Sequence, residues 1–406
     1  MAHDVDVAEQ FEKHLNSPKQ TWLLGAGVSF LANIPLMYPL TTRVLDLARN
    51  DLFGDDAEAI RVLDFITSDC GESSHIEHHL THLGDLISVA ERSRTGGIEI
   101  GGERIGKEKL IEVHQGLVQK IAVTVRWGFR AARQNAAGEV IEEARIGTDG
   151  SSIVDISGHR KFVEAIFGAN RAGLDFVRTP VEFFTTNYDT LIEDALAFAG
   201  IEFQDGFVGG GVGFWNMRNY AANSTTRAIV SKLHGSIDWY RSHTGNANLL
   251  RVRYGDTYPG EGGSVMIYPQ ATKYLNTQRD PFAEIFQRFR QRLAQGSDHV
   301  LLVCGYSFGD DHINAEIEIA MSSGKNQLTI VAFVDEPNDE LPLTLRTWLL
   351  EPWGQRIFIA SPKGIYQGSN GPFFPITDGK RDWWTFDGAA NLFAAGLPKD
   401  VQEAMA

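Results

Sequence analysis

Residues 181–200 read VEFFTTNYDTLIEDALAFAG. Val181, Phe183 and Phe184 are apolar and β-favouring behind Pro180, which predicts a short buried strand. Leu191, Ile192, Ala195, Leu196 and Ala199 then recur at helical spacing, one apolar face closed by Gly200. Between strand and helix stands Thr185-Thr186-Asn187-Tyr188-Asp189, a polar tip at a strand's carboxyl end, where open α/β sheets bind ligands. Thr, Asn and Asp are also ordinary turn and cap residues. The ligand interpretation gains ground because three other strand ends carry tips of the same kind.

The first of these follows Thr21–Leu24, a strand running into Gly25-Ala26-Gly27-Val28-Ser29-Phe30. A strand, a glycine turn and then a helix would offer unpaired N–H groups and a positive helix end to a phosphate. Glycine there lets a pyrophosphate approach the backbone, although Phe30 breaks the full G-x-G-x-x-G pattern and such turns also serve tight packing. The second tip follows the strand Ala228–Leu233 and reads His234-Gly235-Ser236-Ile237-Asp238-Trp239. A histidine so placed can be a base near neutral pH or a structural hydrogen-bonder. The third follows the strand His299–Val303: Cys304-Gly305-Tyr306-Ser307-Phe308-Gly309-Asp310, then a helix with Ile313, Ile317, Ala320 and Met321 on its buried side, closed by Gly324. One more strand is expected at Gln327–Val334.

The remaining chain, 406 residues in all, is long enough for two or three domains. Lys+Arg number 37 against Asp+Glu 52, a net charge of −15, which opposes direct nucleic-acid binding because phosphate neutralisation needs a basic surface. Two cysteines, Cys70 and Cys304, make neither a disulfide framework nor a thiolate zinc site. The start MAHDVDVAEQFEKHL has no signal-peptide pattern and no run of about 18 apolar residues occurs. A cytoplasmic protein away from membranes is expected.

A helix is expected over 5–16, and another in LTTRVLDLARNDLF with Thr41 or Thr42 as its cap, after a break from Ile34-Pro35 to Pro39. His75, His78, His79 and His82 put two histidines at i, i+4, a metal-capable spacing, or else a solvated or subunit-facing helix. Residues 95–106 suggest a loop or hairpin, and Lys107 to about Gln134 a helix. The run Gly206–Gly213 is a lid or a β-turn region, and helices are expected at 158–169 and 282–293 with a short strand at 265–269 between them. The segments divide into a core of 1–49 with 176–335, a mainly helical insertion at 50–175 and a C-terminal extension at 336–406. The extension covers the sheet or forms an oligomer contact.

Taken together, GAGVS at 25–29, TTNYD at 185–189, KLHGS at 232–236 and CGYSFGD at 304–310 resemble the sirtuin superfamily. The connecting text YDTLIEDAL, KLHGSIDWY, IYPQATKY, FQRFRQRL and GYSFGDDHIN is similar to its bacterial antiphage branch, whose members pair with a HerA-type ATPase. The resemblance implies an α/β, Rossmann-like fold with a mainly parallel sheet and NAD as substrate. It implies Gly25, Ala26, Gly27, Ser29 and Thr186 as cofactor-binding residues, with Gly305, Ser307 and Asp310 at the adenosine ribose and phosphates. It implies Asn187 as the residue placing water at the ribose, Asp189 near the nicotinamide, and His234 as the catalytic histidine.

The family's deacylating members carry a four-cysteine zinc module that this chain cannot build, and their glutamine between Thr and Asn is here Thr186. No zinc is expected, and water is the expected acceptor. An NAD hydrolase is thus implied, as an antiphage effector in a homo-oligomer with a HerA-type ATPase. An NAD-dependent deacylase and a non-catalytic NAD- or ADP-ribose-binding scaffold are the alternatives.

Overall fold

The computed structural model describes residues 2–71, 73–135, 137–168, 179–241, 249–253, 264–267, 281–295, 299–323, 327–376 and 379–405. Nine strands form the central sheet: β1 (Gln20–Leu24), β2 (Val181–Thr185), β3 (Phe203–Gln204), β4 (Ala228–Lys232), β5 (Val300–Cys304), β6 (Thr329–Phe333), β7 (Ile357–Ser361), β8 (Gly364–Gln367) and β9 (Asn370–Phe373). Their order is β9-β8-β7-β6-β5-β1-β2-β4-β3. From β7 to β3 every pairing is parallel, and β8 and β9 join antiparallel at one edge. This is a mixed α/β protein with a mainly parallel central sheet, as the sequence predicts. From β1 the chain builds β2, β3 and β4 on one side, then returns to build β5 on the other. The order therefore reverses between β1 and β5, where a doubly wound sheet opens a crevice at its carboxyl edge.

The helices, in chain order, are α1 (Ala2–Leu15), α2 (Met37–Leu47), α3 (Ala57–Asp69), α4 (Ile76–Arg92), α5 (Lys107–Trp127), α6 (Ser157–Gly168), α7 (Leu191–Phe198), α8 (Phe282–Leu293), α9 (Asp311–Ser322), α10 (Leu343–Leu349), α11 (Phe386–Ala395) and α12 (Lys399–Met405). Neighbouring strand residues point to opposite faces. Trp22, Phe183, Val230 and Leu302 accordingly join Phe11 of α1, Phe162 of α6 and Phe386 of α11. Leu23, Phe184, Leu301 and Val303 pack on the other face with Ile285 and Phe289 of α8, Ile317 of α9 and Trp348 of α10. Both faces are covered, which explains why the central strands are apolar throughout rather than alternating. Helices α2–α5 bury a third core that also takes in Tyr188, Leu191 and Ile237.

Several local expectations change. No α-helix follows Gly25: residues Ala26–Ser29 make one 3-10 turn, and the next helix begins at Met37. The helix-dipole argument for a phosphate there is lost with it. Thr41 and Thr42 cap nothing at the start of α2, since Pro39 already lies in its first turn and needs no N–H there. Their hydroxyls instead donate to the carbonyls of Met37 and Tyr38, and Thr41 Oγ1 accepts the first N–H of α4, from Ile76. Helix α5 stops at Trp127 because Gly128 takes φ +88°, and short hairpin pieces follow.

The segment 95–106 is a hairpin, Gly97–Ile100 with Glu103–Gly106. The glycine run likewise forms a hairpin, Phe207–Gly209 with Val212–Trp215. It belongs to a second, antiparallel sheet with Gly235–Arg241, Leu249–Val252 and Ser264–Ile267. Tyr268, Pro269, the rest of IYPQATKY and Gly324 lie outside the described residues. Among the described residues, no helix is long and apolar enough to cross a membrane.

Two core histidines make stability depend on pH. His159 packs on Phe386 with ring centroids 4.9 Å apart, and the Nε2 of His299 lies 2.9 Å from Thr21 Oγ1. Burial pushes both down to about 4. An unfolded histidine gains its proton near pH 6.5, so their contribution is complete above that value and is lost as pH falls toward 4. Glu193, pushed up to about 7 by burial, has the opposite sign: its contribution is complete below about 4.5 and is lost as pH rises through 7. Guanidinium unfolding of wild type and His299→Asn at pH 7, 6 and 5 separates the two. The variant should lack one histidine's share of the acid loss, a slope of up to about 1.4 kcal/mol per pH unit.

Candidate functional site

Four strand ends stand level. Cys304 pairs with Leu24, Leu24 with Thr185, and Thr185 with Lys232. The tips after β1, β2, β4 and β5 therefore leave from one edge of the sheet, around the crevice between β1 and β5. Two of them are pressed together backbone to backbone. The N–H of Gly25 donates to the carbonyl of Cys304 at 3.0 Å, and that of Gly27 to the carbonyl of Gly305 at 2.9 Å. A Cβ on Gly25 would stand 2.5 Å from the Gly305 carbonyl oxygen. A Cβ on Gly305, whose φ is +65°, would stand 2.4 Å from Val28 N. Glycine is thus required here for loop against loop, the tight-packing role. Ala26 and Ser307 are exposed on the tips, and Thr186, half-buried, donates its N–H to Leu24 O at 3.0 Å.

Behind this contact runs a chain of polar side chains. Asn187 Nδ2 donates to Ser29 Oγ at 3.0 Å, and Ser29 Oγ donates to Asp189 Oδ2 at 2.8 Å. Asp189 Oδ1 accepts from the N–H of Leu191 at 3.0 Å, at the start of α7. A hydroxyl has one proton, so Ser29, having given it to a carboxylate, can only accept from Asn187. That fixes which way the amide faces. Its Oδ1 faces away from Ser29, is buried in a residue only 8% exposed, and has no hydrogen-bond partner among the described residues. Leaving a buried acceptor unpaired costs about 1–3 kcal/mol, the mark of a group kept for a donor that arrives from outside. Asp189 has both oxygens engaged and acts on the site through Ser29. Thr185, the first residue of this tip, accepts the Asn187 N–H through its Oγ1 at 3.0 Å.

His234 comes from the opposite side. Its Nε2 lies 3.0 Å from Asp310 Oδ2, with both residues buried. Asp310 is itself fixed as the cap of α9, its Oδ1 accepting the N–H groups of His312 and Ile313. Strands β4 and β5 are three spacings apart, about 14 Å. The 3.0 Å contact therefore arches across the ends of β1 and β2. Asp310 stands against the histidine and fixes the orientation of its ring through Nε2. Tyr306 and Asn314, invisible as site residues in the sequence, brace this loop. The Tyr306 hydroxyl lies 3.0 Å from Asn314 Oδ1, and Asn314 Nδ2 donates to Phe308 O at 2.8 Å.

The histidine helix meets the site indirectly. Tyr188 donates its hydroxyl to Glu77 in the first turn of α4, and burial with Glu77 alongside pushes the phenol up, keeping it protonated. His79 is buried and held neutral by that burial, and His82 pairs with Asp69 at 3.0 Å. The helix is not wholly solvated. Among the described residues, no group of three or more His, Cys, Asp or Glu could hold a metal ion.

The loop contact makes a direct prediction. Gly305→Ala forces a positive φ on alanine and drives its methyl into Val28, and should lower unfolding stability by more than about 1 kcal/mol. Denaturant melts of wild type and variant check it.

Among solved structures, the chain is similar to a Sir2 homologue in complex with NAD, at 11% identity and a TM-score of 0.37, covering 98% of this chain and 94% of that one. It is also similar to a mutant Sir2 homologue in complex with ADP-ribose, at 12% identity and a TM-score of 0.33, covering 82% of this chain and 88% of that one. No curated protein matches it. Residues 181–353, which contain the tips after β2, β4 and β5, match the family model for a SIR2-like domain.

Proposed function

We propose that this protein is an NAD hydrolase that cleaves the bond between nicotinamide and ribose, giving nicotinamide and ADP-ribose. The observation that carries the proposal is the buried, unpaired Oδ1 of Asn187, aimed by Ser29 and Asp189. It stands at the same sheet edge as the His234 imidazole. The match of residues 181–353 to a SIR2-like domain supports the choice of substrate.

In this mechanism Asn187 Oδ1 accepts a hydrogen bond from a water molecule and points the water's oxygen at the anomeric carbon. The water oxygen bonds to that carbon as the glycosidic C–N bond breaks. The bonding pair goes to the ring nitrogen, so nicotinamide leaves neutral and needs no strong acid. The surplus proton passes to the imidazole of His234, whose ring Asp310 holds in place. Catalysis is chiefly positioning around a cation-like transition state. Water is the proposed acceptor, since two cysteines cannot build the zinc module of acyl-lysine deacylases. The motif resemblance extends the proposal to a role. The chain would deplete NAD as an antiphage effector, as a homo-oligomer working with a HerA-type ATPase.

Chromatographic assay of nicotinamide and ADP-ribose, with and without the co-expressed ATPase, tests the activity. Asn187→Ala and His234→Ala should each lower kcat by about a hundredfold or more while unfolding midpoints stay near wild type. Ser29→Ala, which releases the amide without removing it, should cost about tenfold or more. Wild-type turnover in both Asn187→Ala and His234→Ala overturns the assignment. Tight NAD binding without nicotinamide release, partner present, would make the chain a sensor instead.

A further inference from the structure

We infer that Lys232 is a positioning residue that sets the separation of Asn187 and His234, an assignment that builds on the hydrolase proposal. Lys232 is the last residue of β4, two before His234, and its register partner on β2 is Thr185, two before Asn187. Its side chain is 2% exposed. The ammonium donates to the main-chain carbonyl of Asp189 and lies 3.4 Å from Glu193 Oε1 in the first turn of α7. One side chain thus links the strand that carries the imidazole, the loop that carries the amide, and the helix behind that loop.

A buried ammonium is a costly way to fill space. The rest of β4 is Ala228, Ile229, Val230 and Ser231, and an apolar residue at 232 would satisfy the same fully buried strand. What an apolar residue cannot do is donate to the Asp189 carbonyl. Two backbone contacts already join these loops: Leu233 N–H to Thr185 O at 2.8 Å and Ile237 N–H to Tyr188 O at 3.0 Å. Both acceptors precede Asp189 in the chain. Lys232 supplies the tie at the loop's far end, directly after Asn187 and Tyr188. Glu193 stands beside it, one oxygen toward Lys232 and the other buried and, among the described residues, without a partner, in surroundings that also hold Arg253, Asp194 and Asp238. Lys232 touches no reacting atom; it acts through the loop it holds.

The test uses the full chain carrying Lys232→Met, and the double variant Lys232→Met/Glu193→Gln, which leaves no unpaired carboxylate should the single variant fail to fold. Amide hydrogen exchange of residues 186–191 should speed by about tenfold or more while α9 and α11 exchange as in wild type. With NAD as substrate, kcat should fall by about a hundredfold with KM within about threefold, the pattern of misplaced reacting groups. Glu193→Gln alone, which leaves the bond to Asp189, should keep exchange in 186–191 at the wild-type rate. Unchanged exchange in both Lys232 variants overturns the inference, as does wild-type kcat. If wild type itself releases no nicotinamide, the hydrolase proposal fails, and the exchange readout still decides whether Lys232 holds the loop.

Discussion

The site depends on two backbone turns meeting with no side chain between them. Gly25 and Gly27 lie against Gly305 so closely that a single methyl on either side would part them. Because the β1 tip is seated there, Ser29 ends at hydrogen-bond distance from two residues of the β2 loop. Everything downstream is a matter of one proton. Ser29 spends its hydroxyl hydrogen on Asp189, so the amide of Asn187 has a single satisfactory orientation. The unpaired oxygen is a consequence of that ordering.

A second pair of groups is organised by the same logic from the other side of the sheet. Asp310 is held by the first turn of α9, and in turn it holds His234. Each of the two groups that face the proposed substrate is therefore backed by a carboxylate bound to a helix start: Asp189 at α7 and Asp310 at α9. Neither carboxylate is exposed, and both work by orientation. This division lets an amide and an imidazole be oriented by carboxylates that stay buried behind them.

Much of this was legible in the chain. The apolar runs at 21–24, 181–184, 228–233 and 299–303 each gave a central strand, because residues buried on both faces of a parallel sheet carry no alternation to confuse the pattern. The four tips were visible for the complementary reason: Gly, Asn, His and Asp are conspicuous directly after such runs. What the sequence hid was which tip touches which. Spacing leaves the glycines open to either a phosphate or tight packing, and only the fold shows Gly25 and Gly27 packed against Gly305. Nothing in the spacing shows that Asp310 stands against His234, a partner 76 positions away. A helix is expected directly after the glycine turn, whereas Ala26–Ser29 form a single 3-10 turn whose Gly27 N–H is taken by the Gly305 carbonyl.

The level strand ends also bear on how the chain acquires its chemistry. The tips are drawn from positions near 25, 187, 234 and 305, and the two outer ones meet only after β5 has been laid down beside β1. Pairings this remote along the chain close large loops and form late. A growing polypeptide that has emerged as far as residue 290 already owns Asn187 and His234, yet has nothing to press against Gly25 or to steady the imidazole. Chemistry at this crevice belongs to the finished sheet and not to any leading fragment of it.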